Sequence, residues 1–211
     1  MELRDFTHHM RTYRLLNVLL ILIAGAGALV FSLTQPDQYD TSISFAVNRV
    51  NKQTTQNYEY DGYYAIQAAD LFSQTVVSWF STPSVVVEMY QKASLTSPSG
   101  SIDSLGSRFR TRKYSSQNIV VRYSAPTHDE ADRLAKAIIS VTQERASLLN
   151  QSADAKSLYN VAASTPVIVL SKPNVAVNTV VGLILGAILA VFVTSGAAYF
   201  RGPNGAHAHR D

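Results

Sequence analysis

The stretch STPVIVLSKPNVAVNTVVGLILGAILAVFVTSGAAYFRG, Ser164–Gly202, decides how the chain is organised. A β-branched run, Val167-Ile168-Val169-Leu170, reads as a short strand that stops before Pro173. Val175–Tyr199 then follows without a charge, its main polar members being Asn178, Thr179, Thr194 and Ser195. About 20 apolar residues cross about 30 Å of hydrocarbon as a helix. Lipid offers no partner to a free amide, so a lone segment of this kind is helical. A strand that feeds directly into a membrane helix is the feature to be explained.

Working outward, the N-terminal side holds a second such run. Leu15–Leu33 reads LLNVLLILIAGAGALVFSL, interrupted only by Asn17 and Ser32. It follows a charged stretch, exceeds the usual apolar length of a signal peptide, and precedes SLTQPDQYD, which contains no A-x-A cleavage pattern. A retained helix is expected. The mean hydropathy of +0.03 therefore conceals two apolar ends around a polar middle.

Orientation is read from the short flanks. Residues 1–14 hold Arg4, Arg11 and Arg14 against Glu2 and Asp5, and residues 200–211 hold Arg201 and Arg210 against Asp211. Asp37 and Asp40 follow the first span. Basic flanks face the cytoplasm, so both tails are expected there and the middle region outside. The expected organisation is a cytoplasmic tail over 1–14, a span over 15–33, an extracytoplasmic domain over 34–174, a span over 175–199 and a second tail over 200–211. The net charge of +3 says little about partners, since the middle region is nearly balanced, and no nucleic-acid partner is expected. The absence of cysteine suits an exported domain held by packing.

Within the middle region, Thr41–Val47 alternates, with Ile43, Phe45 and Val47 on one side. Helical spacing follows at Ala65, Ala68/Ala69, Phe72, Val76 and Trp79/Phe80. A second helix begins at Thr82-Pro83, a capping hydroxyl before a proline that needs no donor, with Val86, Met89, Tyr90 and Ala93 on its buried side. Residues 94–107 read as a Ser/Gly/Pro loop. Arg108–Tyr114 and Asn118–Tyr123 read as strands around Ser115-Ser116. Thr127–Glu130 is a T-x-x-E capping box opening a helix with Ala131, Leu134, Ile138, Val141 and Leu149 on its stripe. The fold class is α+β, in the order β-α-α-β-β-α-β, flanked by two transmembrane helices. First and last strands in one sheet would hold the two spans near each other.

In this order of elements the chain resembles the polysaccharide co-polymerase (Wzz) family, the chain-length determinants of O-antigen, capsule and exopolysaccharide. The resemblance is carried by Tyr39 ahead of the alternating strand, by AADLFSQTVVSWFSTPSVVVEMYQKA, by NIVVRYSAPTHDEADRLAKAII, and by ASTPVIVLSKPN before a Gly-rich second span. Of the family's Pro-rich motif, Pro166 and Pro173 are present, with Val169 between them. A Ser/Gly loop stands where many members carry a long helical arm, which implies a short-armed member. The resemblance implies a non-catalytic homo-oligomer in a bacterial plasma membrane. Its implied partners are a polysaccharide polymerase or export machinery, lipid-linked glycan, or a cytoplasmic tyrosine kinase engaged by the C-tail. A structural subunit of another envelope complex is the remaining reading.

Several residues have more than one reading. Gly182 and Gly186 form G-x-x-x-G, and Ala24 and Ala28 a small-x-x-x-small face; both allow close helix approach, within the chain or between copies. Pro166 and Pro173 remove two amide donors, either ending a strand or stiffening the connection to the second span. Arg108, Arg110 and Arg112 alternate, which protects an edge strand or contacts an anionic glycan, a lipid pyrophosphate or a neighbouring subunit. Tyr63, with Tyr58, Tyr60 and Tyr64, anchors a loop, sits at the membrane interface or stacks on sugars. No hydrolase, metalloprotease, nucleotide or dinucleotide motif occurs, and Asp129 and Glu130 suit a helix start. No catalytic residue, metal site or cofactor is expected.

Overall fold

A computed structural model describes residues 13–49, 58–98, 100–149 and 159–200. The tails that set the expected orientation, apart from Arg14, lie outside these residues. The chain divides into two compact units, residues 37–171 and residues 1–36 with 172–211.

The first unit is an α+β module with an antiparallel sheet. Its elements are β1 (Gln38–Arg49), α2 (Tyr58–Trp79), α3 (Pro83–Lys92), α4 (Ile102–Gly106), β2 (Arg110–Ser115), β3 (Asn118–Ala125), α5 (His128–Leu149), β4 (Tyr159–Ala163) and β5 (Val167–Ser171), after α1 (Arg14–Thr34) and before α6 (Val175–Phe200). The sheet runs β2-β3-β1-β4, and β5 pairs with β1 beyond β4.

The alternation in β1 builds the core. Ile43, Phe45 and Val47 are wholly buried, while Asp40, Ser42 and Ser44 take the opposite face. Ile119, Val121 and Val161 continue the inner face, and Val76, Phe80, Val86, Met89, Leu134, Ile138 and Val141 pack onto it from the helices. Phe109 meets Phe80 and Tyr123 edge to face. Burial pushes the Tyr123 hydroxyl above its usual pKa, and it donates to the Ala131 carbonyl at 2.6 Å.

One strand escaped the sequence pattern. β4 pairs with the far half of β1 from Phe45↔Ala163 to Arg49↔Tyr159, and β5 pairs with the near half from Gln38↔Ser171 to Ser42↔Val167. Between them Ile43 and Ser44 face Ser164, Thr165 and Pro166, a bulge with one extra residue. Ser164 spans the gap: its amide donates to the Ser44 carbonyl at 2.8 Å, and its Oγ accepts from the Ser44 amide at 3.0 Å. Pro166 sits where a missing donor does no harm.

Other details correct the sequence reading. α2 begins at Tyr58, two turns ahead of the helical spacing that starts at Ala65, and α4 is a single turn inside the expected loop. The Ser101 hydroxyl caps it, accepting from the Ser104 amide at 3.2 Å. Thr82 stands at the N-cap of α3 but donates backwards to the Ser78 carbonyl at 2.8 Å instead of capping. Thr127 Oγ1 does cap α5, accepting from the Glu130 amide at 3.2 Å. Leu149 is 62% exposed, because the stripe leaves the core in the last turn of α5.

Ion pairs tie the helices to their neighbours. Glu88 and Lys92 of α3 meet Arg145 and Glu144 of α5, and Asp70 of α2 accepts from Lys113 of β2 at 2.7 Å. Lys113 and then Gln74 hold the Asp70 carboxyl below the usual carboxylate range; Lys92 and then Ser140 do the same for Glu144. Such groups stabilise the folded state fully at neutral pH, and the contribution is lost as pH falls past the unfolded value of about 4 and through the lower folded values. The melting temperature of the full chain in detergent, followed by Trp79 fluorescence, should therefore decline between about pH 5 and pH 3. Asp70→Asn with Glu144→Gln should flatten that decline; an equal decline in the double variant would show that these pairs do not cause it.

Candidate functional site: a helix seam and a basic sheet face

The second unit contains a pair of helices, α1 and α6, each long and apolar enough to cross a membrane. Their outward faces carry Leu19, Leu22, Ile23, Val30, Ile184, Leu185, Ile188 and Phe192, all exposed. Apart from Ile21 and Leu183, their facing sides are small or polar. On α1 the inward positions are Asn17, Ile21, Ala24, Gly25, Ala28 and Ser32; on α6 they are Asn178, Gly182, Gly186, Ala190 and Thr194.

The two sets interlock at short range. A Cβ added at Gly182 would stand 2.3 Å from the Ala28 Cβ and 3.2 Å from the Ala24 carbonyl oxygen. One added at Gly186 would stand 2.7 Å from the Ala24 Cβ and 3.1 Å from the Ile21 Cα. Gly25 is matched in turn by Leu183, 2.5 Å from where its Cβ would lie. Lipid tails are as apolar as leucine, so hydrophobic burial does not drive such helices together; close packing and hydrogen bonds do. One such bond closes the seam, Asn178 Nδ2 donating to Ser32 Oγ at 2.9 Å. Thr194 is 3% exposed and returns its hydroxyl to the Ala190 carbonyl at 2.7 Å.

Gly182, Gly186, Ala24 and Ala28 are thus brought together within one chain. The sequence reading missed Gly25, Ala190 and the Ser32–Asn178 bond. Their signal was present in the step of four from Asn178 through Gly182, Gly186 and Ala190 to Thr194. The helix starts at Val175 as expected, but its cap went unread: Asn174 Oδ1 accepts from the Val177 amide at 3.2 Å, so Pro173 precedes a capping residue.

The expected arginine row is divided. Arg108 lies ahead of β2 and turns inward, donating from Nε to the Tyr90 hydroxyl at 2.7 Å and from Nη2 to the Ser124 carbonyl at 3.0 Å. Arg110 and Arg112 are exposed on β2, an edge strand of the sheet. Arg112 lies over the Tyr114 ring, 5.0 Å from its centroid. Arg110 is registered opposite Arg122 of β3, a residue the sequence reading did not single out. Tyr63 is exposed on α2, while the side chains of Tyr58, Tyr60 and Tyr64 lie outside the described residues. Among the described residues, no group of three or more His, Asp or Glu side chains is placed to hold a metal ion.

No family model matches the chain, and no curated protein matches it.

Overpacking a close seam costs about 1–3 kcal/mol. In the naturally cysteine-free chain, Ser32→Cys with Asn178→Cys should give intrachain product with a short thiol cross-linker. Adding Gly182→Leu should cut the yield by more than half, whereas Leu185→Ala on the outward face should leave it unchanged. Equal yields in both backgrounds would show that the glycine contact does not hold the pair.

Proposed function

We propose that this chain is a non-catalytic membrane scaffold of the polysaccharide co-polymerase kind. It crosses a bacterial plasma membrane twice, holds both termini in the cytoplasm and presents its module outside. It assembles with copies of itself and regulates the length, polymerisation or export of a surface polysaccharide. The action is positional: an array of modules keeps a polymerase and its lipid-linked glycan together and does no chemistry of its own.

The observation that carries this reading is the antiparallel pairing of the module's first and last strands, β1 with β5. Each is joined by three residues, 35–37 and 172–174, to a helix long enough to cross the bilayer. A module closed in this way anchors at two neighbouring points and resists unravelling from either end. The basic residues of the flanks support the orientation. The resemblance of the sequence to the co-polymerases supports the assignment to polysaccharide work.

Deleting the gene and resolving the cell's surface polysaccharide by gel should shift its length distribution, and re-expression should restore it. An unchanged distribution, in a strain whose polysaccharide is still made, would contradict the reading.

A further inference from the structure

Among the described residues, one face of the sheet carries no helix. The hydrophobic core lies on the side of Ile43, Phe45, Val47, Ile119 and Val121, and α2, α3 and α5 contribute to that side. On the opposite face the register sets Arg110 directly across from Arg122, and Arg112 across from Val120 one step along. All three arginines are exposed. Like charges directly opposite on neighbouring strands repel, so this pair destabilises the isolated sheet.

The distribution of partners makes the arrangement specific. Lys92, Lys113, Arg133, Lys136 and Arg145 each hold a carboxylate. Arg108 is engaged by Tyr90 and Ser124. Among the Lys and Arg side chains described in the module, those with neither an ion pair nor a hydrogen bond are Arg110, Arg112 and Arg122, and they share one face. The carboxylate on that face is Asp40, which accepts the Ser124 hydroxyl at 2.6 Å. Beside the arginines stand Tyr114, 52% exposed, and Ser42, Ser44 and Asn118, with Ser44 Oγ donating to Asn118 Oδ1 at 2.9 Å.

We infer that this face binds a linear acidic polysaccharide, with carboxylates of successive sugars taken by Arg110, Arg122 and Arg112. Guanidinium groups grip carboxylates through two parallel hydrogen bonds, which an ammonium cannot do. Arg110 and Arg112, alternate residues of β2, stand about 7 Å apart along the strand, with Arg122 across the ladder from Arg110, a spread of charges that suits an extended chain. The Tyr114 ring and the Ser and Asn side chains supply the stacking and hydrogen bonding that sugars require. An interfacial membrane site instead sets its bases beside inserted Trp, Phe or Leu; here the exposed apolar residues of the face, Val167 and Val169, lie on β5 beyond β1. Edge pairing of β2 with a second copy would bring the same arginines together and is opposed by their charge. The inference relies on the module lying outside the cytoplasm, as proposed above, but not on control of polymer length.

The test uses the full chain in nanodiscs of zwitterionic lipid, with polygalacturonate as probe, dextran of similar size as neutral control and phosphatidylglycerol vesicles as the lipid arm. Saturable binding of polygalacturonate is expected, weakening as salt rises above physiological strength. Arg110→Gln with Arg122→Gln should weaken it by at least about tenfold, and the corresponding double lysine variant should fall between the two. Unchanged Trp79 fluorescence and particle mass would show that the variants keep fold and assembly. Equal binding of dextran, absence of polygalacturonate binding, or undiminished binding by the double glutamine variant would overturn the inference. So would vesicle binding that depends on these arginines without polygalacturonate binding, which would assign the face to lipid. Should polygalacturonate fail to bind while gene deletion still alters polysaccharide length, this inference falls and the scaffold reading stands.

Discussion

Strand β1 is hydrogen-bonded along both edges, and most of the module is arranged by that fact. Its inner face supplies Ile43, Phe45 and Val47 to the middle of the core. One edge takes β3 from Tyr39 to Ala46, and the other takes β5 and β4 in succession. A twelve-residue strand is long enough to hold two shorter ones end to end, provided the break between them is satisfied. Ser164 satisfies it, with its amide and hydroxyl both directed to Ser44. Because β5 takes the near half of β1, Gln38 faces Ser171, and the chain enters and leaves the module side by side. The closure of the module and its two-point attachment follow from the same ladder.

The helix pair answers a different solvent. A soluble module gathers its large apolar groups inward, whereas α1 and α6 turn theirs outward and keep Gly, Ala, Ser, Asn and Thr between them. That inversion is expected where the surroundings are already hydrocarbon and only close approach is gained by association. Gly182 and Gly186 are required because the Ala24 and Ala28 methyl groups occupy the space their own Cβ atoms would need. A side chain at either glycine would meet these groups too closely, so the two backbones would have to shift.

What was legible in the sequence was set by neighbours close along the chain. The alternation in β1, the Thr127 cap of α5 and the two apolar runs are written in consecutive residues, and each appears where expected. What was not legible depends on partners far along the chain. Tyr159–Ala163 fully buries Val161 and half-buries Tyr159 and Ala163, and it becomes a strand because the far half of β1 is free to receive it. Arg108 reads as the first member of an alternating row, yet the Tyr90 hydroxyl, 18 residues away, draws it inward. Arg122 looks like an isolated charge until the register sets it against Arg110. Thr82 has the residue type of a cap, but the end of α2 reaches its hydroxyl first.

The central claim is topological: two crossings of the bilayer, the module on one side and both termini on the other. Because the native chain contains no cysteine, single cysteines report directly on it. Cells carrying Thr7→Cys, Ser101→Cys or Ala206→Cys would be treated with a membrane-impermeant maleimide before and after permeabilisation. The account requires Ser101→Cys to react from the outside and the two terminal positions to react only after the membrane is opened. A terminal cysteine labelled together with Ser101→Cys in intact cells would contradict it.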